Sequence, residues 1–266
     1  MAQQRLFKVV LKNHHTIQTA IPMKTKFLLI PSMVISISLC SYSPVNNYHT
    51  EIRTIKLAQD PSPFEIAGAL KQALQQGTAK SADQLSAVDG FFKNAAVKIL
   101  FPPQAQKAEK TLRGLGLGKM CDDAILSMNR AAEDAAKQAK PIFISAIEHM
   151  SLEDATNILL GSQDAATQYF KRTTSAQLTI AFKPIVQASL NKVGATKYYA
   201  DVANEYNKVP FVSKINPDIN AYVTQKAIDG LFYEIAQEEL NIRKNIGARP
   251  SPLMQKVFAF ADSKHL

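Results

Sequence analysis

Residues 62–74 read SPFEIAGALKQAL, and this stretch decides the fold class. Ser62 is a typical helix N-cap, Pro63 suits the first helical position, and Glu65 completes a capping box three residues after the cap. The apolar residues that follow recur at helical spacing: Ile66, Ala67, Leu70, Ala73 and Leu74. The stretch therefore predicts an amphipathic helix with Ser62 as its cap.

The same start and stop signals continue along the chain. A helix is predicted over residues 103–113, and further helices are predicted to start at or near Asp122, Ser151, Thr174, Asn216 and Ser251. The helix from Thr174 is expected to kink at Pro184 and to end near Gly194. The helix near Asp122 has a narrow apolar face that permits close helix packing, formed by Ile125, Met128, Ala132, Ala135, Ala136 and Ala139.

Strand-like alternation is confined to two short stretches, AVKILF at residues 96–101 and VPFV at residues 209–212. Each is too short to build a sheet. We therefore predict an all-α fold: a single domain of eight or nine helices over residues 62–266, with two extended connectors packed across the helices.

The N-terminal part of the chain has the pattern of a secretory signal. From Met23 the sequence reads MKTKFLLIPSMVISISLCSYS, with two lysines, a mostly apolar run over residues 27–39 and small residues after it. The apolar run is shorter than the roughly 20 residues that span a bilayer. We interpret residues 1–22 as an over-extended N-terminus, residues 23–40 as a signal peptide and residues 41–61 as a flexible tether.

Cys40 follows the apolar run directly and is a candidate lipid-attachment site. Ile37 and Ser38 fit a lipoprotein pattern, whereas Leu39 is larger than the small residue expected before the cysteine. The alternative is ordinary cleavage after Cys40 or Ser43, which would release the protein. Either outcome predicts an exported protein, in the periplasm or anchored to the membrane of the cell envelope, with any membrane attachment made through an N-terminal lipid.

The net charge of +9 does not indicate a nucleic-acid partner, because it is concentrated in the leader. Residues 1–57 hold seven of the 31 basic groups and one of the 22 acidic groups. In the rest of the chain basic residues are interspersed with acidic ones, as on a solvated helical surface. No polyanion-binding stripe is evident, so we predict no nucleic-acid partner.

Known cofactor and metal patterns do not match. RGLGLGK at residues 113–119 resembles a phosphate-binding loop, but Arg113 stands where the first glycine of a Walker loop belongs and Met120 replaces the hydroxyl residue. We interpret its glycines as a helix cap and hinge, and Cys121 as a small buried apolar residue. No histidine pair at i,i+4 and no Cys-x-x-Cys occurs, so we predict no metal and no cofactor.

Several side chains could form a ligand site. Tyrosines offer apolar area together with a hydroxyl, and could line a pocket or belong to the core with their hydroxyls toward the surface. An anion-binding role for Arg130 competes with local ion pairs to Glu133 and Asp134. The candidate ligand-binding residues are Arg130, Tyr169, Tyr199, Tyr222 and Lys226.

An enzymatic alternative rests on the carboxylates of YEIAQEELNIRK, residues 233–244. Glu234, Glu238 or Glu239, set against Arg130 or Lys226, could divide acid and base roles if one carboxylate were buried. The other interpretation is an ion-paired helix face, with Glu239 in register with Arg243. No catalytic residue is assigned.

Several long motifs, in the same order, resemble the bacterial domain-of-unknown-function family numbered four-one-nine-seven. They are DGFFKNAAVKI, LGLGK, LSMNRAAEDAAKQAKPIF, FKPIVQASLNKVGATKYY and NPDINAYVTQKAIDGLFYEIAQEELNIRKN, within residues 65–260. The resemblance implies an exported, predominantly helical protein, often with a signal or lipoprotein-type N-terminus, and no known activity. We therefore expect a binding or scaffolding module of the cell envelope, with an unknown envelope protein or an apolar ligand as its partner. The alternatives are a small-molecule or lipid-binding protein with a tyrosine-lined pocket, and an enzyme.

Overall fold

The computed structural model describes residues 60–192, 194–208, 210–216 and 218–264. Within them lie nine α-helices, one short 3-10 turn and no strand: α1 Pro63–Ser86, α2 Pro103–Gly114, α3 Gly118–Ala136, α4 Ala139–Glu148, α5 Leu152–Leu159, α6 Ala165–Lys192, α7 Ala195–Asn207, α8 Asn220–Lys244, the turn Ile246–Ala248, and α9 Pro252–Lys264. This confirms the all-α prediction. The interpretations of residues 1–22 and 23–40, and of the tether up to residue 59, lie outside the described residues.

Four long helices surround the hydrophobic core. α8 packs against α1, α3 and α6, and α3 also packs against α6. The predicted apolar face of α3 is buried, although its last member, Ala139, begins α4. Its small side chains suit the packing of α3 against α6 and α8. Phe143 of α4 fills the adjacent space, with its ring centroid 5.3 Å from Phe170 and 6.3 Å from Phe232. Burial of this apolar surface is the main source of stability.

Three serines cap helices as predicted. Ser62 and Glu65 form the capping box of α1, with the Ser62 N–H donating to the Glu65 carboxylate over 2.8 Å. Ser151 caps α5, with Asp154 as its capping-box partner. The Ser251 hydroxyl accepts from the Met254 N–H over 3.1 Å at the start of α9. In each case both hydrogen-bonding partners lie within one helical turn.

Two predicted helix starts were wrong, and a third was about one turn late. Thr174 lies inside α6, where its hydroxyl donates to the Phe170 carbonyl oxygen over 2.6 Å instead of capping a new helix. α3 begins at Gly118, four residues before Asp122. α8 begins at Asn220, where the Asp218 carboxylate accepts from the Asn220 N–H over 2.9 Å, whereas Asn216 accepts from the Asp218 N–H in the preceding turn.

The true start of α6 is capped by a side chain from α8. The Glu239 carboxylate accepts from the backbone N–H groups of Ala166 and Thr167, each over 2.9 Å, and from the Thr167 hydroxyl over 2.8 Å. Arg243 donates to the same carboxylate and to the Ile158 and Leu159 carbonyl oxygens at the end of α5. The pair therefore ties three helix ends together.

The glycine-rich turn at residues 113–118 is the predicted hinge between α2 and α3. Gly116 has φ +82°, in the left-handed region that favours glycine. The Leu117 N–H donates to the Leu112 carbonyl oxygen and the Gly116 N–H to the Arg113 carbonyl oxygen, the two bonds of a Schellman cap. Cys121 is fully buried just beyond the turn, and burial raises the pKa of its thiol.

Candidate functional site

The connector between α1 and α2, residues 87–102, is held against α3 by a buried asparagine. Asn129 accepts from the Ile99 N–H and donates to the Ile99 carbonyl oxygen, both over 2.8 Å. An N–H and a carbonyl of one residue point the same way only in extended backbone, so the Asn129 amide takes the place of a neighbouring strand. Both residues are buried, at 0% and 1% exposed.

One turn further along α3, Glu133 holds the first part of the same connector. Its carboxylate accepts from the Phe91 and Phe92 N–H groups, each over 3.2 Å, and from Arg130 over 2.6 Å. Arg130 also donates to Asp89 over 2.6 Å. Hydrogen bonds from Lys93 and Arg130 lower the pKa of Asp89, so this carboxylate stays charged. Arg130 therefore makes the local ion pair expected with Glu133, and acts as a clamp on the connector.

α8 holds the connector from its other side. The Tyr222 hydroxyl donates to the Leu100 carbonyl oxygen over 3.0 Å, and the Asn94 amide donates to the Glu234 carboxylate over 2.7 Å. Between these contacts, a Cβ added to Gly230 would lie 2.6 Å from the Phe91 ring. A glycine is therefore required at residue 230 for the connector to approach α8 this closely.

The connector and α8 together border an open groove of about 400 Å³, called here the connector groove. Its residues come from the connector, the start of α2 and the exposed side of α8: Ala96, Val97, Lys98, Leu100, Phe101, Pro103, Gln106, Tyr222, Lys226, Asp229, Gly230 and Tyr233. The lining includes both apolar and polar side chains. The groove therefore suits a ligand with both apolar and polar parts.

Tyr199 packs against the buried side of the connector that borders this groove. Its ring stacks on Phe101 with centroids 5.7 Å apart, and it is 1% exposed. Burial raises the pKa of Tyr199 to about 12, so its hydroxyl stays neutral at physiological pH. Tyr199 thus contributes packing behind the groove and does not line it.

Lys226 lies at the groove with its ammonium half-exposed. Its Nζ is 3.7 Å from the Asp229 carboxylate and 6.0 Å from the Tyr222 ring centroid. The distance to Asp229 is longer than a hydrogen bond, so the ammonium keeps its donors for water or for an anionic group. Tyr222 and Lys226 are thus the two predicted residues that the structure brings together in the groove.

Tyr169 lies elsewhere. It is buried between α6 and α4, and its hydroxyl donates to the Ala146 carbonyl oxygen over 3.2 Å. A core crevice of about 20 Å³ lies beside Leu70, Phe170 and Phe258, and none of the predicted tyrosines is among the described residues that line it. That volume holds about one water molecule, so the core is solid at this point.

The carboxylates of the enzymatic alternative make structural contacts. Glu234 accepts from Gln84 and Asn94, Glu238 pairs with Lys80 over 2.6 Å, and Glu239 caps α6. Among the described contacts, none joins Arg130 or Lys226 to these glutamates. The predicted cations and these carboxylates are therefore not brought into contact among the described residues.

Asn129 and Glu133 were not identified from the sequence as site residues. They lie at four-residue intervals from Ile125 on one face of α3, so they fall in register with buried positions. A polar side chain repeated in an apolar stripe signals a buried hydrogen-bonding role, because an unpaired polar group there would be costly. That signal predicts burial but does not name the backbone groups that are bound.

Metal binding and membrane spanning find no support in the part of the chain that is described. No cluster of three or more His, Cys, Asp and Glu residues there is placed to hold a metal ion. None of the described helices combines the length and the apolar character needed to cross a membrane.

The described residues form an all-helical domain with an open groove along an extended connector. Residues 60–259 match the family described as "Protein of unknown function (DUF4197)". The chain belongs to this family, as its motifs indicated. Comparison with curated proteins and with solved structures gave no match.

Proposed function

We propose that the protein is an exported binding module of the bacterial cell envelope, with its ligand held in the connector groove. The observation that carries this proposal is the groove itself, an opening of about 400 Å³ with Tyr222 and Lys226 in its lining. Its connector wall is held by side chains from α3 and from α8. A wall fixed from two helices is pre-organised, which lowers the entropic cost of binding.

The lining supports an amphipathic ligand that carries an anionic group. Leu100 and Pro103 offer exposed apolar area, and the half-exposed Lys226 ammonium offers a charge that Asp229 only partly balances. The buried carboxylates elsewhere are committed to backbone and side-chain contacts. Binding therefore has more support than catalysis.

Export and anchoring belong to the same proposal and rest on the sequence. The signal-like segment at residues 23–40 directs the chain out of the cytoplasm, and a lipid on Cys40 keeps it at the membrane. Mass spectrometry of the protein purified from its own envelope would detect the lipid. A Cys40→Ala variant should then lose that mass and leave the membrane fraction, and a mature chain that carries no lipid would contradict anchoring.

Two neighbouring alanines allow a sharp test of the groove. Ala96 is exposed and lines the groove, so Ala96→Trp fills it without disturbing the core. Ala95 is also exposed but is not among the lining residues, so Ala95→Trp is a matched control. Native mass spectrometry should show an added ligand mass in the wild type and in Ala95→Trp, and its loss in Ala96→Trp. A wild-type protein without added mass, or a ligand kept by both variants, would refute the proposal.

A further inference from the structure

The loop between α7 and α8 presents a fully exposed aromatic side chain on strained backbone. Phe211 has a relative exposure of 109% and φ +63°. A bulky residue at positive φ costs about 1–2 kcal/mol, and an exposed phenyl ring recovers none of that cost by burial. Such a combination at a loop tip points to a contact that the isolated protein does not make.

The loop is nevertheless held firmly at its base. Asn207 accepts from the Ile215 N–H over 2.9 Å and donates to the Ile215 carbonyl oxygen over 3.1 Å. Ile215 is buried at 4% exposure, and Val212 packs partly against the core. The fold therefore fixes both sides of the loop and leaves Phe211 projecting from it.

The charges around Phe211 indicate what it meets. Lys208 and Lys214 stand three residues to either side, and residues 206–216 contain no acidic residue. Lys208 pairs with Glu205 over 2.6 Å, but both side chains are well exposed, so this pair contributes little and is easily exchanged. An apolar tip between two cations suits the interface of an anionic bilayer, where the ring enters the headgroup boundary and the ammonium groups meet lipid phosphates.

We propose that Phe211, with Lys208 and Lys214 on either side of it, docks the domain on an anionic lipid surface. This site is separate from the connector groove, because none of the described loop residues lines that groove. It therefore does not depend on the ligand proposed above. A protein partner with an apolar pocket would be a different occupant, and the experiment below distinguishes it.

The chain contains no tryptophan, so a single introduced indole reports on its own position. In Phe211→Trp the reporter replaces the loop tip. In Phe64→Trp it replaces another exposed phenylalanine, 76% exposed on α1, and serves as the matched control. Both variants are made in the full chain, so the N-terminal segment contributes equally to each. The probes are vesicles of phosphatidylglycerol with phosphatidylcholine, and vesicles of phosphatidylcholine alone, each with brominated acyl chains.

On the anionic vesicles the emission of Phe211→Trp should move to shorter wavelength and be quenched by the bromines, while Phe64→Trp should change little. Adding Lys214→Gln to Phe211→Trp should weaken the lipid affinity about fivefold, since each cation near such a surface contributes about 1 kcal/mol. Equal quenching of the two reporters, no quenching of Phe211→Trp, or equal responses to both vesicle types would overturn the proposal. A shift produced by envelope proteins without lipid would overturn it in favour of a protein partner.

A Phe211→Gly variant tests whether the ring has a structural role instead. Glycine accepts the positive φ without strain, and no buried apolar area is lost. The urea midpoint should therefore stay the same or rise. A fall in the midpoint would show that the ring packs on the fold, and would overturn the assignment of Phe211 as a contact residue.

Discussion

Replacing Asn129 should destabilise the protein in a way that depends on which atom is changed. In Asn129→Ala the Ile99 N–H and carbonyl oxygen both lose their partner inside the core. The Ile125 carbonyl oxygen, which also accepts from Asn129, keeps its bond within the helix. Each buried unpaired group costs about 1–3 kcal/mol, so the expected loss for the two is about 4 kcal/mol.

Asn129→Asp keeps the shape of the side chain but replaces the donor by an acceptor. At pH 7 the introduced carboxylate would face the Ile99 and Ile125 carbonyl oxygens, at positions where the amide now donates over 2.8 and 2.7 Å. A buried charge beside two carbonyl oxygens costs more than an absent side chain, so this variant should be less stable at pH 7 than Asn129→Ala.

The free energy of unfolding of Asn129→Asp should fall as the pH rises. Burial raises the folded-state pKa of the introduced carboxyl above its unfolded value of about 3.9. The protonated form can again donate to one carbonyl, so its stabilising contribution is complete below the unfolded pKa and is lost as pH rises through the folded pKa. The deficit relative to wild type should therefore be small near pH 4 and large at pH 7.

Urea unfolding followed by far-ultraviolet circular dichroism at both pH values measures these differences. Asn204→Asp, at an exposed position of α7, is the matched control and should change stability by less than about 0.5 kcal/mol. If Asn129→Ala costs less than about 1 kcal/mol, or if Asn129→Asp follows the wild type at both pH values, the connector is not held by this amide and the reasoning fails.

Three further substitutions test other contacts by the same unfolding assay. Gly230→Ala should cost about 1–2 kcal/mol, because overpacking against the Phe91 ring exceeds the gain in helix propensity; an unchanged midpoint would refute the close approach. Glu239→Gln should cost about 3 kcal/mol, since Arg243 loses its buried carboxylate partner, and a neutral result would show that the pair does not tie the helix ends. Gly116→Ala should cost about 1 kcal/mol through backbone strain alone, because a Cβ there meets no atom within 4 Å, and a gain in stability would contradict the left-handed cap.

Helix starts were predictable where the cap and its partner lie in one turn. At Ser62 and Ser151 the hydrogen bonds of the capping box span three residues, so the sequence shows both partners. The Ser251 hydroxyl likewise accepts from a backbone N–H three residues later, that of Met254. Thr174 has the residue type of a cap, but a hydroxyl can also donate to the carbonyl four residues before it, as it does here. Residue type alone does not distinguish these two bonds.

The start of α6 could not be predicted, because its cap is not local. Glu239 lies 73 residues after Ala166, and only the packing of α8 brings its carboxylate to the exposed amides. The sequence did indicate that Glu239 pairs with Arg243, since that contact follows the four-residue helical spacing. For Glu239, the local ion pair with Arg243 was therefore predicted from the sequence, whereas its hydrogen bonds to the start of α6 were not.

The candidate site likewise has one wall that the sequence predicts and one that it does not. Tyr222 and Lys226 share a helix face, so their proximity follows from helical spacing, and the structure places both at the connector groove. The opposite wall depends on residues about 30 to 40 positions away from the connector they hold, namely Asn129 and Glu133. Such contacts are set by how α3 crosses the chain, which no local pattern encodes.

The connector and the loop that carries Phe211 are held by the same kind of side-chain contact. In each, an asparagine amide bonds both the N–H and the carbonyl of a buried isoleucine, Asn129 on Ile99 and Asn207 on Ile215. Extended backbone in an all-helical domain has no neighbouring strand, so a side-chain amide must satisfy it. Side chains alternate between the two sides of extended backbone, so the residue next to a buried isoleucine points toward solvent. Leu100, next to Ile99, is exposed in this way. The two asparagines thus let a helical scaffold display extended segments, and these are the two places where we propose that it meets other molecules.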